Sequence, residues 1–241
     1  MAEQELINHT KEALKILENK KVSFWHKLKD FVLEIAIIVF AISLSIWLHN
    51  WSEHKNEQKT VKIFLLGLKS DIQADIAETK ELIQTNQQYK LLYSYLSTLN
   101  NEKNPNRDTL KLALSYFQSY SFLRPHKSRF TGFLSAGKIM TIENDGLLLK
   151  ILNYYQEILP ALQTSEEVWQ NKHKTLITYF TDNVKNFDND MDKFQVLSSS
   201  KGKYLSKELI PWPQLLDRYQ LVIDEGNKII SYIQSDYPNS D

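Results

Sequence analysis

Apolar positions along the chain fall into one unbroken block and several periodic stripes. The block is Phe31 to Leu48, eighteen consecutive residues whose only charge is Glu34. At about 1.5 Å of rise per residue it makes roughly 27 Å of helix, close to the thickness of a hydrocarbon core. Apart from Glu34, only Ser43 and Ser45 are polar, whereas the core helix of a soluble protein usually keeps a polar stripe. A cleaved leader fits poorly, because the run exceeds a leader's apolar region of roughly 7–15 residues and is followed by Trp47, His49 and Trp51, not small residues. The pattern therefore predicts one retained membrane-spanning helix.

Both flanks of this span carry amphipathic rings of the kind that settle at lipid headgroups: Phe24, Trp25 and His26 before it, Trp47 and Trp51 after it. Lys20, Lys21, Lys27 and Lys29 precede the span, against Lys55, Lys59 and Lys62 beyond it. That excess predicts a cytoplasmic amino terminus and a carboxy-terminal domain on the far side, the periplasm in a Gram-negative bacterium. Glu34 has two readings. It lies about a turn inside the interface, where water and Lys27 or Lys29 reach it, or it faces a partner helix or an ion path. Ala41 and Ser45 form a small pair four apart that permits close helix approach.

The stripes predict the remaining elements. Leu6, Ile7, Ala13, Leu14 and Leu17 mark a short amphipathic helix ahead of the span. Val61, Phe64, Leu65, Leu68, Ile72, Ile76 and Ile83 keep three-or-four spacing, with no proline before Pro105, so the membrane helix is expected to continue as a stalk. A turn at Asn100, Asn101, Asn104, Pro105 and Asn106 precedes a second helix from about Asp108 to Phe122. A short helix ending at Gly137 follows, then one starting at the cap Asn144 and bending near Pro160. Lys185 to Lys207 reads as the longest loop, and the last helix starts near Pro213. The expected fold class is all-α, an N-terminal transmembrane helix continuing into an antiparallel helical bundle. The expected division is residues 1–22 as a cytoplasmic amphipathic helix, 23–51 as the transmembrane helix and 52–241 as the extracytoplasmic bundle.

Composition narrows the function. Six glycines and six prolines against 42% hydrophobic residues favour long helices. Lysine plus arginine equals aspartate plus glutamate at 29 each, so no basic excess points to nucleic acid. The absence of cysteine excludes disulfides, thiolate metal sites and a cysteine nucleophile.

The run EIAIIVFAISLSIWLHNWSEHK resembles the amino-terminal signature of an uncharacterised family of bacterial membrane proteins, a domain of unknown function whose members read Glu, an aliphatic run, then Asn-Asn-Trp-Asn-Glu. Glu34, Asn50, Trp51 and Glu53 match, while His49 and Ser52 stand where the pattern has Asn, and Ile38 and Ser43 stand in its usually glycine-containing stretch. FLSAGKIMTIENDGLLLKILNYY resembles the middle motif through Ser135, Gly137, Ile142 and Asn144, and residues 223–234 resemble the carboxy-terminal helix. The resemblance implies a single-pass inner-membrane protein with a helical domain, and no assigned activity.

Candidate chemistry is sparse. Asp188, Asp190 and Asp192 alternate like the start of a calcium loop, but Lys193 replaces the turn glycine and Ser199 the closing glutamate. Ser-x-x-Lys pairs occur at Ser52, Ser135, Ser198 and Ser200 without the partner motifs of serine-lysine enzymes. His49 and His54 sit about 140° apart on a helix, poorly placed as joint metal ligands. Tyr154, Tyr155, Trp169, Tyr179 and Phe180 either line a ligand pocket or form plain core.

The expectation is a non-enzymatic, membrane-anchored protein without catalytic, cofactor or metal residues, its anchor and helix contact formed by Glu34, Ala41, Ser45, Trp47 and Trp51. It acts through protein contacts, its partners being the lipid bilayer and either further copies of itself or other membrane proteins, with no nucleic acid. The alternatives are a membrane-anchored small-ligand sensor and an oligomeric ion or proton pathway through Glu34.

Overall fold

A computed structural model describes the backbone of residues 2–100, 107–117 and 120–238, with side chains from residue 25 onward except Arg107. Among these residues every regular element is helical, as the stripes predict. Helix α1 (Ala2–Ser97) is unbroken over 96 residues, so the leading helix, the span and the stalk form a single element. Proline is absent from it, and its one glycine is Gly67. The side chains of Leu6, Ile7, Ala13, Leu14 and Leu17 lie outside the described residues.

The chain divides into two compact units, residues 1–58 and 59–241. Within the first, residues 31–48 are exposed all round the helix, and none of the apolar window is buried. By length and composition this helix is able to cross a membrane.

The second unit is a helical bundle. Its elements after α1 are α2 (Arg107–Tyr116), α3 (Ser128–Ser135), a 3-10 turn (Lys138–Thr141), α4 (Asp145–Asn153), a π-helical turn (Tyr154–Ile158), α5 (Leu159–Asn183), α6 (Asp190–Ser198), α7 (Ser200–Lys207) and α8 (Pro213–Asp236). Val61, Phe64, Leu65, Leu68, Ile72 and Ile76 of α1 are buried, and the stripe runs on through Leu82, Tyr89, Leu92, Tyr93 and Leu96. Ile83, expected in that stripe, is only partly buried beside Leu82. Opposite lie Leu147, Ile151, Leu159, Leu162 and Leu176 from the α4–α5 run and Leu215, Val222, Ile229 and Ile233 from α8.

Local signals explain several boundaries. Asn144 caps α4, its Oδ1 accepting the Leu147 amide at 3.1 Å. Gly137 has φ of 69° and follows α3, donating its amide to the Leu134 carbonyl at 2.9 Å. Pro213 opens α8. Just before Pro160, where a bend is expected, the helix widens into the π-turn, the Leu159 amide reaching back to the Tyr154 carbonyl. A wider turn accommodates a ring that cannot donate a hydrogen bond.

Two expectations need correction. Helix α2 ends at Tyr116, not Phe122, and residues 120–127 are irregular. Pro125 disfavours helical geometry at Arg124, and the amides of Leu123 and His126 bond to carboxylates of other helices instead of to helical carbonyls. The supposed loop from Lys185 to Lys207 holds α6 and α7. Asn189 and Ser199 cap them by accepting the amides of Met191 and Gly202, both at 3.0 Å, and Phe194 and Leu197 bury into the core. The predicted turn after Asn100 lies outside the described residues except for Asn100 itself.

Helices α1 and α8 meet closely at Gly226, where an added Cβ would stand 3.0 Å from Ile72 Cγ2 and from Ile76 Cδ1. A leucine there overpacks the contact, and Gly226→Leu is expected to lower unfolding stability by about 1–3 kcal/mol despite its better helix propensity. Chemical denaturation of the full chain, followed by circular dichroism, measures this, and an unchanged midpoint would refute the close contact.

Candidate functional site

Polar residues interrupt the apolar stripes of the second unit at matching depths. Asp75, Thr79 and Asn86 of α1 and Ser165, Glu166 and His173 of α5 are all buried. A buried polar group is costly unless it is hydrogen-bonded, so the partners of each determine what it does.

Thr79 and Asn86 return to their own helix, bonding the carbonyls of Asp75 at 2.6 Å and Leu82 at 2.9 Å. Asp75 instead holds the irregular connector. Its carboxylate accepts the His126 amide at 3.0 Å and faces the His126 ring nitrogen Nδ1 at 2.6 Å. The hydrogen bond with Asp75 raises the affinity of His126 for its proton, while burial pushes the Asp75 carboxyl upward against the pull of His126. Nearby, Arg129 lies across Gly67 and pairs with Asp71 at 2.9 Å.

Glu166 does the same work one helix away. Its Oε1 accepts the Leu123 amide at 2.8 Å and the Tyr219 hydroxyl at 2.7 Å. Burial outweighs both bonds and pushes its carboxyl up to about 7. Arg218, next to Tyr219 on α8, donates to the Ala161 carbonyl at 2.8 Å and also to the Ser165 hydroxyl. Asp75 and Glu166 therefore clamp residues 120–127 from both sides.

Tyr120, at the start of that connector, lines a cleft of about 710 Å³ between the end of α2, the outer half of α5 and the start of α6. Phe117, Tyr120, Phe180 and Phe187 give it aromatic walls, and Lys174 and Lys193 supply positive charge. His173 also lines it, stacked on Trp169 at 5.2 Å between ring centroids and edge-on to Tyr120 at 5.5 Å. Only 3% exposed, His173 is held neutral by burial, and its Nε2 has no hydrogen-bond partner.

Of the five aromatic residues nominated from sequence, only Phe180 lines this cleft. Tyr154, Tyr155 and Trp169 are buried core, Trp169 donating its indole N–H to the Leu209 carbonyl at 3.0 Å. Tyr179 sits elsewhere on α5, bonded to Ser199 at 2.9 Å and covered by Lys201. The residues passed over, Asp75, Glu166 and His173, carry one legible signal: each is a polar residue standing in phase with an apolar stripe.

The residues nominated as anchor and helix contact all lie on α1 and are exposed. At about 100° per residue, Glu34, Ala41 and Ser45 share one narrow face, whereas Trp47 and Trp51 lie about 80° or more away from each of them. The Ser45 hydroxyl bonds back to the Ala41 carbonyl at 2.9 Å, and Lys55 rests over the Trp51 ring at 5.3 Å. Of the aspartates read as a calcium loop, Asp192 accepts the Asn186 amide and the Asn189 side chain, both at 3.1 Å, and Asp190 pairs with Lys193 at 3.2 Å. Among the described residues no three histidines or carboxylates converge as metal ligands.

No curated protein and no solved structure matches the chain. One family does, over residues 34–188. The match begins at Glu34, the first residue of the amino-terminal motif, and takes in the middle motif around Gly137 and Asn144, while residues 223–234 lie beyond it. With well over half of its length matched, the chain belongs to the family of unknown function DUF6090.

Proposed function

We propose that this protein is a single-pass bacterial inner-membrane protein that works by binding, not by catalysis, and that it self-associates or joins other membrane proteins through its spanning helix. The observation that carries this reading is the fully exposed apolar run of residues 31–48 within α1. Water is a poor solvent for such a surface and lipid a good one. The face shared by Glu34, Ala41 and Ser45 supports association: it combines small side chains with one carboxylate, which gains from a partner group in hydrocarbon. The lysine bias across the span supports a cytoplasmic amino terminus and a periplasmic helical domain.

The expected outcome is that full-length protein sediments with membranes, resists alkaline extraction and shows a crosslinked mass of two or more chains in mild detergent. Ala41→Leu is expected to reduce the multimer, because the larger side chain separates the helix backbones. A chain free in the supernatant would overturn the anchor. A strictly monomeric protein that crosslinks to no partner would overturn the association.

A further inference from the structure

The cleft beside α5 goes beyond this reading, since it depends on neither the anchor nor the association. Among the described residues that line it there is no carboxylate, although the chain carries 29 acidic residues. The lining includes two lysines and a buried histidine. Lys193 is partly neutralised by Asp190 at 3.2 Å, and Lys174 has no ion-pair partner among the described residues. Phe117, Phe180 and Phe187 pack together, with Phe117 stacked on Phe180 at 5.2 Å and Phe187 edge-on to Phe180 at 6.1 Å, and this cluster offers an apolar aromatic surface to a planar body. The volume of about 710 Å³ is that of a small-molecule site rather than a packing defect.

His173 adds to the aromatic lining, its ring stacked on Trp169 and edge-on to Tyr120. Its buried Nε2 lies out of reach of an occupant of the cleft.

We propose that this cleft binds a small planar organic anion, an aromatic carboxylate or close relative, with its ring against the phenylalanine cluster and its acid group at Lys174. The lysine supplies selection for charge and the phenylalanines most of the buried area.

The test uses full-length protein, in phosphatidylcholine nanodiscs if it sediments with membranes and in buffer if it does not, so that failure of the anchor leaves the cleft testable. The probes are 2-naphthoate and its neutral counterpart 2-naphthylmethanol, read by saturation-transfer NMR and titration against empty nanodiscs or buffer. Naphthoate is expected to bind, the neutral probe roughly tenfold more weakly, and Lys174→Gln to abolish most of that difference. Lys201→Gln, a lysine outside the cleft, is expected to change nothing. His173→Phe, which keeps the ring stack, is expected to leave the difference between the two probes unchanged while the fold persists by circular dichroism. No naphthoate signal above the protein-free control, equal binding of the two probes, or equal loss in Lys174→Gln and Lys201→Gln would each overturn the proposal.

Discussion

Acidification from about pH 7.5 to pH 5 will raise the thermal stability of the helical domain, and Glu166→Gln will remove most of that gain. The cause is the position of one carboxyl. Glu166 is 5% exposed, and its folded-state value stands at about 7 against 4.5 for the free side chain. Between those two values the folded chain holds a proton that the unfolded chain has released, so stability falls as pH rises across the interval. The full difference corresponds to a free-energy swing on the order of 3 kcal/mol.

Three other groups titrate in the same experiment. His126, raised by Asp75, adds stability at low pH that disappears as pH climbs through its folded value. Asp75, raised by burial, acts in the same direction. His173 opposes them: lowered by burial, its contribution is present above the free histidine value and lost as pH falls towards its folded one. The comparison of wild type with Glu166→Gln isolates the glutamate, because glutamine still accepts the Leu123 amide and the Tyr219 hydroxyl through its oxygen. Thermal melts of both proteins at several pH values measure the effect. Parallel pH profiles would show that Glu166 titrates like a solvated side chain.

The second large effect is expected at Asp75. Asp75→Ala removes the acceptor of the His126 amide and the partner of its ring, and leaves space in the core beside Ile72 and Ile76. The His126 side chain is 54% exposed, so water replaces its half of the bond and only part of the interaction is lost. The expected cost is about 2 kcal/mol, most of it from the vacated buried acceptor and the loosened backbone. Asp75→Asn, which keeps an acceptor oxygen, should cost less. Hydrogen exchange gives a local readout: the amides of Leu123 and His126 should exchange faster in the alanine variant, and a connector as protected as in wild type would rule out the clamp.

The contrast between these residues and the rest of the fold shows what a single sequence encodes openly. The long apolar helix was legible because eighteen consecutive residues carry a single charge, Glu34. The start of α4 and the end of α3 were legible because Asn144 and Gly137 act within a few bonds of their own backbone. The early end of α2 was not, because Leu123 and His126 find their partners 43 and 51 residues away, and local propensity registers no such acceptor. Helices α6 and α7 were concealed by short length and polar composition, although Asn189 and Ser199 are ordinary cap residues. The cleft was least legible. Its walls come from the end of α2, Tyr120, α5 and the start of α6, and of the aromatic residues that line it only Phe180 was among those the sequence nominated for a pocket.

The π-turn at Tyr154–Ile158 sets the rotational phase of everything after it. A widened turn holds one residue more than a regular one, so a chain lacking that residue would carry α5 round its axis by roughly 100°. Glu166 would swing away from Leu123, Trp169 from Leu209 and His173 from the aromatic walls, with no side chain altered. The inward faces of α4 and α5 are thus two separately cut gears on one shaft, meshed with the same bundle by a single extra tooth.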